Sequence, residues 1–100
     1  MEIKKGQYYI VRADRAGVFA GEIAEFDAAT ATVTMTNVRR IWYWDGAASL
    51  SQLATEGTQR PAQCKFTVTV AEMVILGVIE IIPCTAEAER NIKEVPVWRI

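Results

Sequence analysis

The chain has 100 residues, 51% hydrophobic and 23% charged, a balance that sets aside disorder and predicts one folded domain over residues 1–100. Eleven basic against twelve acidic residues leave a net charge of −1, which argues against general nucleic-acid binding, since that affinity comes from neutralised phosphates. Histidine is absent, so Ser–His and Cys–His nucleophile pairs and every His-based metal site are excluded.

From the N-terminus, residues 7–12 (QYYIVR) are aromatic and β-branched and predict a first strand. Residues 13–17 form a turn punctuated by Asp14 and Gly17. Residues 18–26 (VFAGEIAEF) predict a second strand, with Gly21 marking a bulge or a close backbone approach. Residues 32–38 (TVTMTNV) alternate, placing Val33 and Met35 on one face and three threonines on the other. Residues 39–44 (RRIWYW) continue that strand or make a corner, completing an antiparallel meander.

Ser49 followed by Gln52 is a capping box, and Leu50, Leu53 and Ala54 give the helical stripe behind it, with Gly57 as the stop. Residues 64–70 (CKFTVTV) alternate again, predicting a strand with Phe66, Val68 and Val70 on one face. Residues 72–82 read as a strand interrupted at Gly77, and Pro83 ends it. Thr85 caps a second short helix whose first turns carry Glu87 and Glu89. Residues 95–100 (VPVWRI) predict an edge strand. The fold class is α+β, mostly antiparallel, with five to seven strands and two short helices.

The two cysteines, Cys64 and Cys84, lack the paired short spacings of a zinc site and are expected to be buried thiols. No signal-peptide core precedes them, and the longest apolar run, broken by Gly77 and Glu80, is too short to cross a bilayer. The run from Ala16 to Gly21 matches neither a P-loop nor a dinucleotide fingerprint, so no cofactor is expected. Glu22 with Glu25, and Glu87 with Glu89, read as solvated faces rather than acid–base pairs. Binding, not catalysis, is the expected activity.

The segment NVRRIWYWDGAASLSQL is the most distinctive. Arg39 and Arg40 present planar forks suited to phosphate, Trp42 and Trp44 offer faces for a base, and Ser49 and Ser51 stand at a helix start. Alternation sends Ile41 and Tyr43 opposite to Trp42 and Trp44, so one set is core, and Arg39 and Arg40 likewise diverge. Arg12 and Arg15 flank the first turn, Arg99 follows Trp98, and Phe66 beside Lys65 is either core or a stacking surface. Since Trp, Tyr and Arg are also the residues of interface hot spots, a protein–protein inhibitor or structural module anchored by IWYW is the alternative.

Along VRADRAGVFAGE, NVRRIWYWDGAASLSQLATEG, CKF, IEIIPCT and VPVW the chain resembles a family of small phage and prophage proteins, with RRIWYWDGAASLSQLA as the most specific run. It is similar to the first type of Thoeris anti-defence protein. Those sponges bind cyclic ADP-ribose-type signals made by bacterial TIR-domain enzymes and hold them uncleaved, and some relatives capture cyclic oligonucleotides. The resemblance implies a small phosphorylated nucleotide ligand, a homo-oligomer with pockets between subunits, no membrane, and the cytoplasm of an infected host. It places Arg12, Arg39 or Arg40, and Phe66 in matching segments. The first turn reads ADRAGV where a hydroxyl-bearing TYSAGV-like turn is the pattern, which implies a different specificity if that turn touches ligand.

Overall fold

In the computed structural model, which describes residues 2–100, strand alternation sorts the apolar residues into two cores rather than one. Strand β1 (Tyr8–Ala13) sends Tyr8 and Ile10 to one face and Tyr9, Val11 and Ala13 to the other, and all five are buried. It pairs antiparallel with β2 (Gly17–Asp27), which pairs in turn with β3 (Thr32–Tyr43). The expected meander is therefore present, and residues 39–43 continue β3 instead of turning a corner.

A β-bulge bends this meander. Gly21 faces both Asn37 and Val38 at a register shift, and Asn37 takes φ 48°, so two residues of β3 oppose one of β2. The bulge resets the alternation: Val33 and Met35 point inward before it, Val38 and Arg40 after it. A Cβ on Gly21 would lie 2.9 Å from the Val38 Cα, so only glycine allows the strands to approach this closely.

Residues 64–70 do not form the single strand that their alternation predicts. They follow a one-turn 3-10 helix at Pro61–Gln63 and comprise the two-residue strand β4 (Lys65–Phe66) and an irregular link to β5 (Val70–Leu76). The cause is local. The Phe66 and Thr67 carbonyls turn to the Arg39 guanidinium, and the Thr67 hydroxyl accepts from the Arg40 N–H, so these groups leave the ladder. Val68, expected with Phe66 on a buried face, is exposed.

Gly77, at φ 73°, separates β5 from β6 (Val78–Pro83), the interruption expected there. Strand β5 pairs with β3, β6 pairs with β1, and β4 occupies the edge of β3 beyond β5. The order β6-β1-β2-β3-β5 thus returns on itself through one glycine, rolling the sheet around Tyr9, Val11, Phe19, Val33, Met35, Val38 and Ile75. Asp14 N–H donates to the Gly77 carbonyl at 2.8 Å and Val78 N–H to the Ala31 carbonyl at 2.9 Å, fastening the bend to both hairpin turns.

The opposite face of the sheet carries α1 (Leu50–Glu56) and α2 (Ala86–Glu94), which bury Leu53, Ala54, Ala88 and Ile92 against Tyr8, Ile10, Ile41 and Phe66. Ser49 and Thr85 cap them as expected, and Gly57 stops α1. Thr85 also donates to the Thr55 carbonyl at 2.7 Å, linking the two helices. Val97 makes a single parallel bridge to Phe66, which is all that forms of the expected terminal strand. No helix among the described residues is long and apolar enough to cross a membrane.

Candidate functional site

The roll of the sheet leaves an open cleft of about 580 Å³ between the β1–β2 turn and β5. Asp14, Arg15 and Ala16 form one rim, Met73 to Gly77 the other, and Phe19 and Arg40 lie between them. Phe19 and Arg40 are cross-strand partners, so the antiparallel register itself sets a cation beside a buried aromatic. The Arg40 guanidinium carbon stands 4.5 Å from the Phe19 ring centroid, and Arg40 Nη1 donates to the Ala16 carbonyl. Its backbone is held from behind by Thr67, with bonds of 3.0 Å to and from the Arg40 amide and carbonyl.

This arrangement fixes Arg40 without neutralising it. A guanidinium carries five N–H donors, of which Ala16 takes one. Among the described residues neither Arg15 nor Arg40 pairs with a carboxylate. Asp14 is the one acidic lining residue, and the remaining walls are apolar. Two cations beside an apolar wall suit an anion with a hydrophobic or planar part.

The neighbouring arginine has the opposite fate. Arg39 is 3% exposed and lies within the helix-side core. It donates to the carbonyls of Thr67 at 3.0 Å, Phe66 at 3.2 Å, and Ile92 and Val95 at 2.9 Å each. The last two close the C-terminal end of α2, where the helix dipole favours a cation. Burial lowers the Arg39 pKa from its usual range, with Tyr8 opposing the shift. Arg39 is therefore structural, which corrects its place among the ligand-binding candidates. Phe66, 0% exposed beneath that guanidinium, is corrected likewise.

Other candidates also fall away from the cleft. Arg12 pairs with Glu80 at 2.9 Å on the outside of the sheet. Trp44 packs on the helix-side core and its indole N–H donates to the Ala47 carbonyl at 3.2 Å. The Ser49 hydroxyl accepts from Gln52 N–H, and Gln52 Oε1 takes the Ala48 N–H, so the start of α1 uses its amides internally. Ser51 and Arg99 are exposed and line no part of the cleft. Asp45, a conceivable partner for Arg39 or Arg40, meets Arg60 at 3.7 Å instead.

Trp42 takes a third course. It is 64% exposed and lies parallel to Trp98, with 6.3 Å between ring centroids and 7° between planes. Lys65 Nζ stands 5.5 Å from the Trp98 ring centroid. Cys84 is not poised as a nucleophile: burial and the nearby Glu89 push it up to about 12, the reverse of what thiolate chemistry requires. Tyr8, in the same core, is raised by burial above its ordinary range. No cluster of potential metal ligands occurs among the described residues.

The chain belongs to the DUF6948 family. The family model, described as a domain of unknown function, matches residues 6–92. No curated protein and no solved structure matches the chain. The DUF6948 match takes in every residue of the cleft and Trp42, and ends before Trp98 and Arg99. Sequence reasoning selected Arg15 and Arg40 in this domain but missed Phe19, Met73, Val74 and Leu76. Phe19 is visible only once its register with Arg40 is known, and the β5 residues only once Gly77 folds them toward the first turn.

Proposed function

We propose that this DUF6948 protein binds a small phosphorylated nucleotide-type ligand in the cleft and holds it without chemical change. The observation that carries the reading is the pair Arg15 and Arg40, both lining an apolar cleft and neither matched by a carboxylate among the described residues. The arginines meet phosphate oxygens, and the apolar wall of Met73, Val74 and Leu76 meets the base or sugar face. With the resemblance to Thoeris anti-defence sponges, the biological reading is phage anti-defence: sequestration of a cyclic ADP-ribose isomer or cyclic oligonucleotide in the cytoplasm of the infected cell, by a homo-oligomer.

The test is thermal shift with cyclic ADP-ribose isomers and cyclic di- and trinucleotides. A ligand at a hundred times its dissociation constant adds about 2.7 kcal/mol of stability, several degrees for a domain of this size. Intact ligand is recovered on heating, and Arg40→Ala abolishes the shift. A flat panel, or an unchanged shift in Arg40→Ala, removes the reading.

A second reading follows from the exposure of Trp42, Tyr43 and Trp98, residue types common at interface hot spots. On it the protein is an inhibitor or structural module bound to a partner protein. Trp42→Ala then breaks the complex while Arg40→Ala leaves it intact.

A further inference from the structure

The cleft carries a carboxylate as well as its two guanidiniums. Asp14 is the one acidic residue that lines it, next in sequence to Arg15. Its backbone is fixed, since the Asp14 N–H donates to the Gly77 carbonyl at 2.8 Å. A Cβ on Gly77 would lie 3.9 Å from the Asp14 Cβ, and the glycine leaves that space open.

The Asp14 side chain has no part in the fold. An aspartate in a turn commonly accepts from a nearby backbone N–H. Asp27 and Asp45, the other aspartates of the chain, do so: Asp27 Oδ1 accepts from the Ala29 N–H at 3.0 Å and Asp45 Oδ1 from the Gly46 N–H at 2.7 Å. Asp14 makes no such bond and no ion pair among the described residues, although Arg15 and Arg40 line the same cleft. Arg12, two residues earlier, is held by Glu80. Guanidiniums only donate and a carboxylate only accepts, so this lining asks its ligand for an anion with hydrogen-bond donors beside it.

We infer that Asp14 reads the sugar of the ligand: its carboxylate accepts from the vicinal hydroxyls of a ribose whose phosphate lies on Arg15 and Arg40. Hydroxyls on adjacent carbons present two donors side by side to the two carboxylate oxygens, and acidic side chains hold ribose hydroxyls at dinucleotide sites. The inference rests on the reading of the cleft as a phosphate-holding site, and it narrows the ligand to a ribose phosphate with both hydroxyls free. A 3′–5′ phosphodiester uses one of them, so such a link at that ribose costs affinity. The turn that supplies Asp14 and Arg15 is also the one that departs from the TYSAGV-like pattern, so the preference belongs to this chain's own residues.

Calorimetric titration of the full chain with 5′-adenosine monophosphate, its 2′-deoxy form and its 2′,3′-dideoxy form tests it. All three carry the same base and phosphate. The ribose form binds tenfold or more tightly than the dideoxy form, with the 2′-deoxy form between them. In Asp14→Ala the three affinities converge: the ribose form weakens, while the dideoxy form, freed of a nearby negative charge, binds at least as tightly as to the wild type. Asp14→Asn, which keeps one acceptor oxygen, retains part of the preference. Equal affinity of the wild type for all three, or a preference that survives Asp14→Ala, overturns the inference and leaves the cleft reading standing. Failure of all three probes to bind the wild-type chain overturns both.

Discussion

Arg39 Nη1 donates to the Ile92 carbonyl at 2.9 Å, so a charge from the middle of β3 closes the far end of α2. The same guanidinium holds Val95, Phe66 and Thr67, and through them the link between β4 and β5. Its neighbour Arg40 points to the other face and into the cleft. One arginine thus secures the wall against which the other is presented, since the Thr67 side chain and amide hold the Arg40 backbone.

Replacing Arg39 by Met is expected to cost about 3–5 kcal/mol, because buried carbonyls lose their donors together. Arg39→Lys recovers only part of this, since a single ammonium cannot fork to four carbonyls. Urea denaturation of both variants measures the difference. A midpoint within experimental error of the wild type for Arg39→Met sinks the assignment.

Gly21→Ala tests the bulge. The added methyl meets the Val38 Cα at 2.9 Å and the Thr36 carbonyl oxygen at 3.0 Å, both backbone atoms that yield only if the strands separate. A loss of about 1–3 kcal/mol is expected, the usual cost of overpacking. The cleft is built on the strand pair that would move, so ligand affinity should fall along with stability. Unaltered melting temperature together with unaltered binding would show that the sheet absorbs the methyl elsewhere.

Alkaline pH probes the helix-side core. An unfolded thiol ionises near pH 8.5, whereas Cys84 in the folded chain keeps its proton to about 12. Between those values the native state binds more protons than the unfolded state, so stability falls as pH rises from about 8.5. The loss from Cys84 reaches about 2 kcal/mol by pH 10, and Tyr8, raised in the same direction, adds to it above its own unfolded value. Urea melts between pH 7 and 10 should show this decline, and Cys84→Ala should flatten it below pH 10. A wild-type profile already flat over that interval contradicts the assignment.

Much of the fold is legible because local signals agree with it. Ser49 with Gln52, Thr85, Gly57 and the alternation around Val33 and Met35 each act over a few residues, and each predicts its element. Residues 64–70 fail for the opposite reason. Their alternation is a strand pattern, but a buried guanidinium 25 or more residues earlier draws two carbonyls out of line, and nothing local announces it. The site divides the same way. The sequence marks Arg39 and Arg40 as a pair that must diverge, yet which one reaches solvent depends on the bulge at Asn37, which resets the face of every residue after it. Trp42 and Trp98 meet only because the chain terminus returns beside β4.

Arg12 and Arg15 belong to the same first turn region but should behave differently. Arg12 is paired with Glu80 on the outer surface, whereas Arg15 lines the cleft. Arg15→Ala is expected to weaken nucleotide binding by about tenfold to a hundredfold, the range for a charge-assisted hydrogen bond to phosphate. Arg12→Ala should leave affinity unchanged and alter stability by less than about 1 kcal/mol, since exposed ion pairs contribute little. Raising the salt concentration should narrow the gap between wild type and Arg15→Ala, because screening weakens the contact that the variant lacks. Calorimetric titrations of the three proteins at low and high salt decide the matter. Equal losses from Arg12→Ala and Arg15→Ala would mean that affinity follows the overall charge of the turn, and the cleft would lose its claim to the ligand.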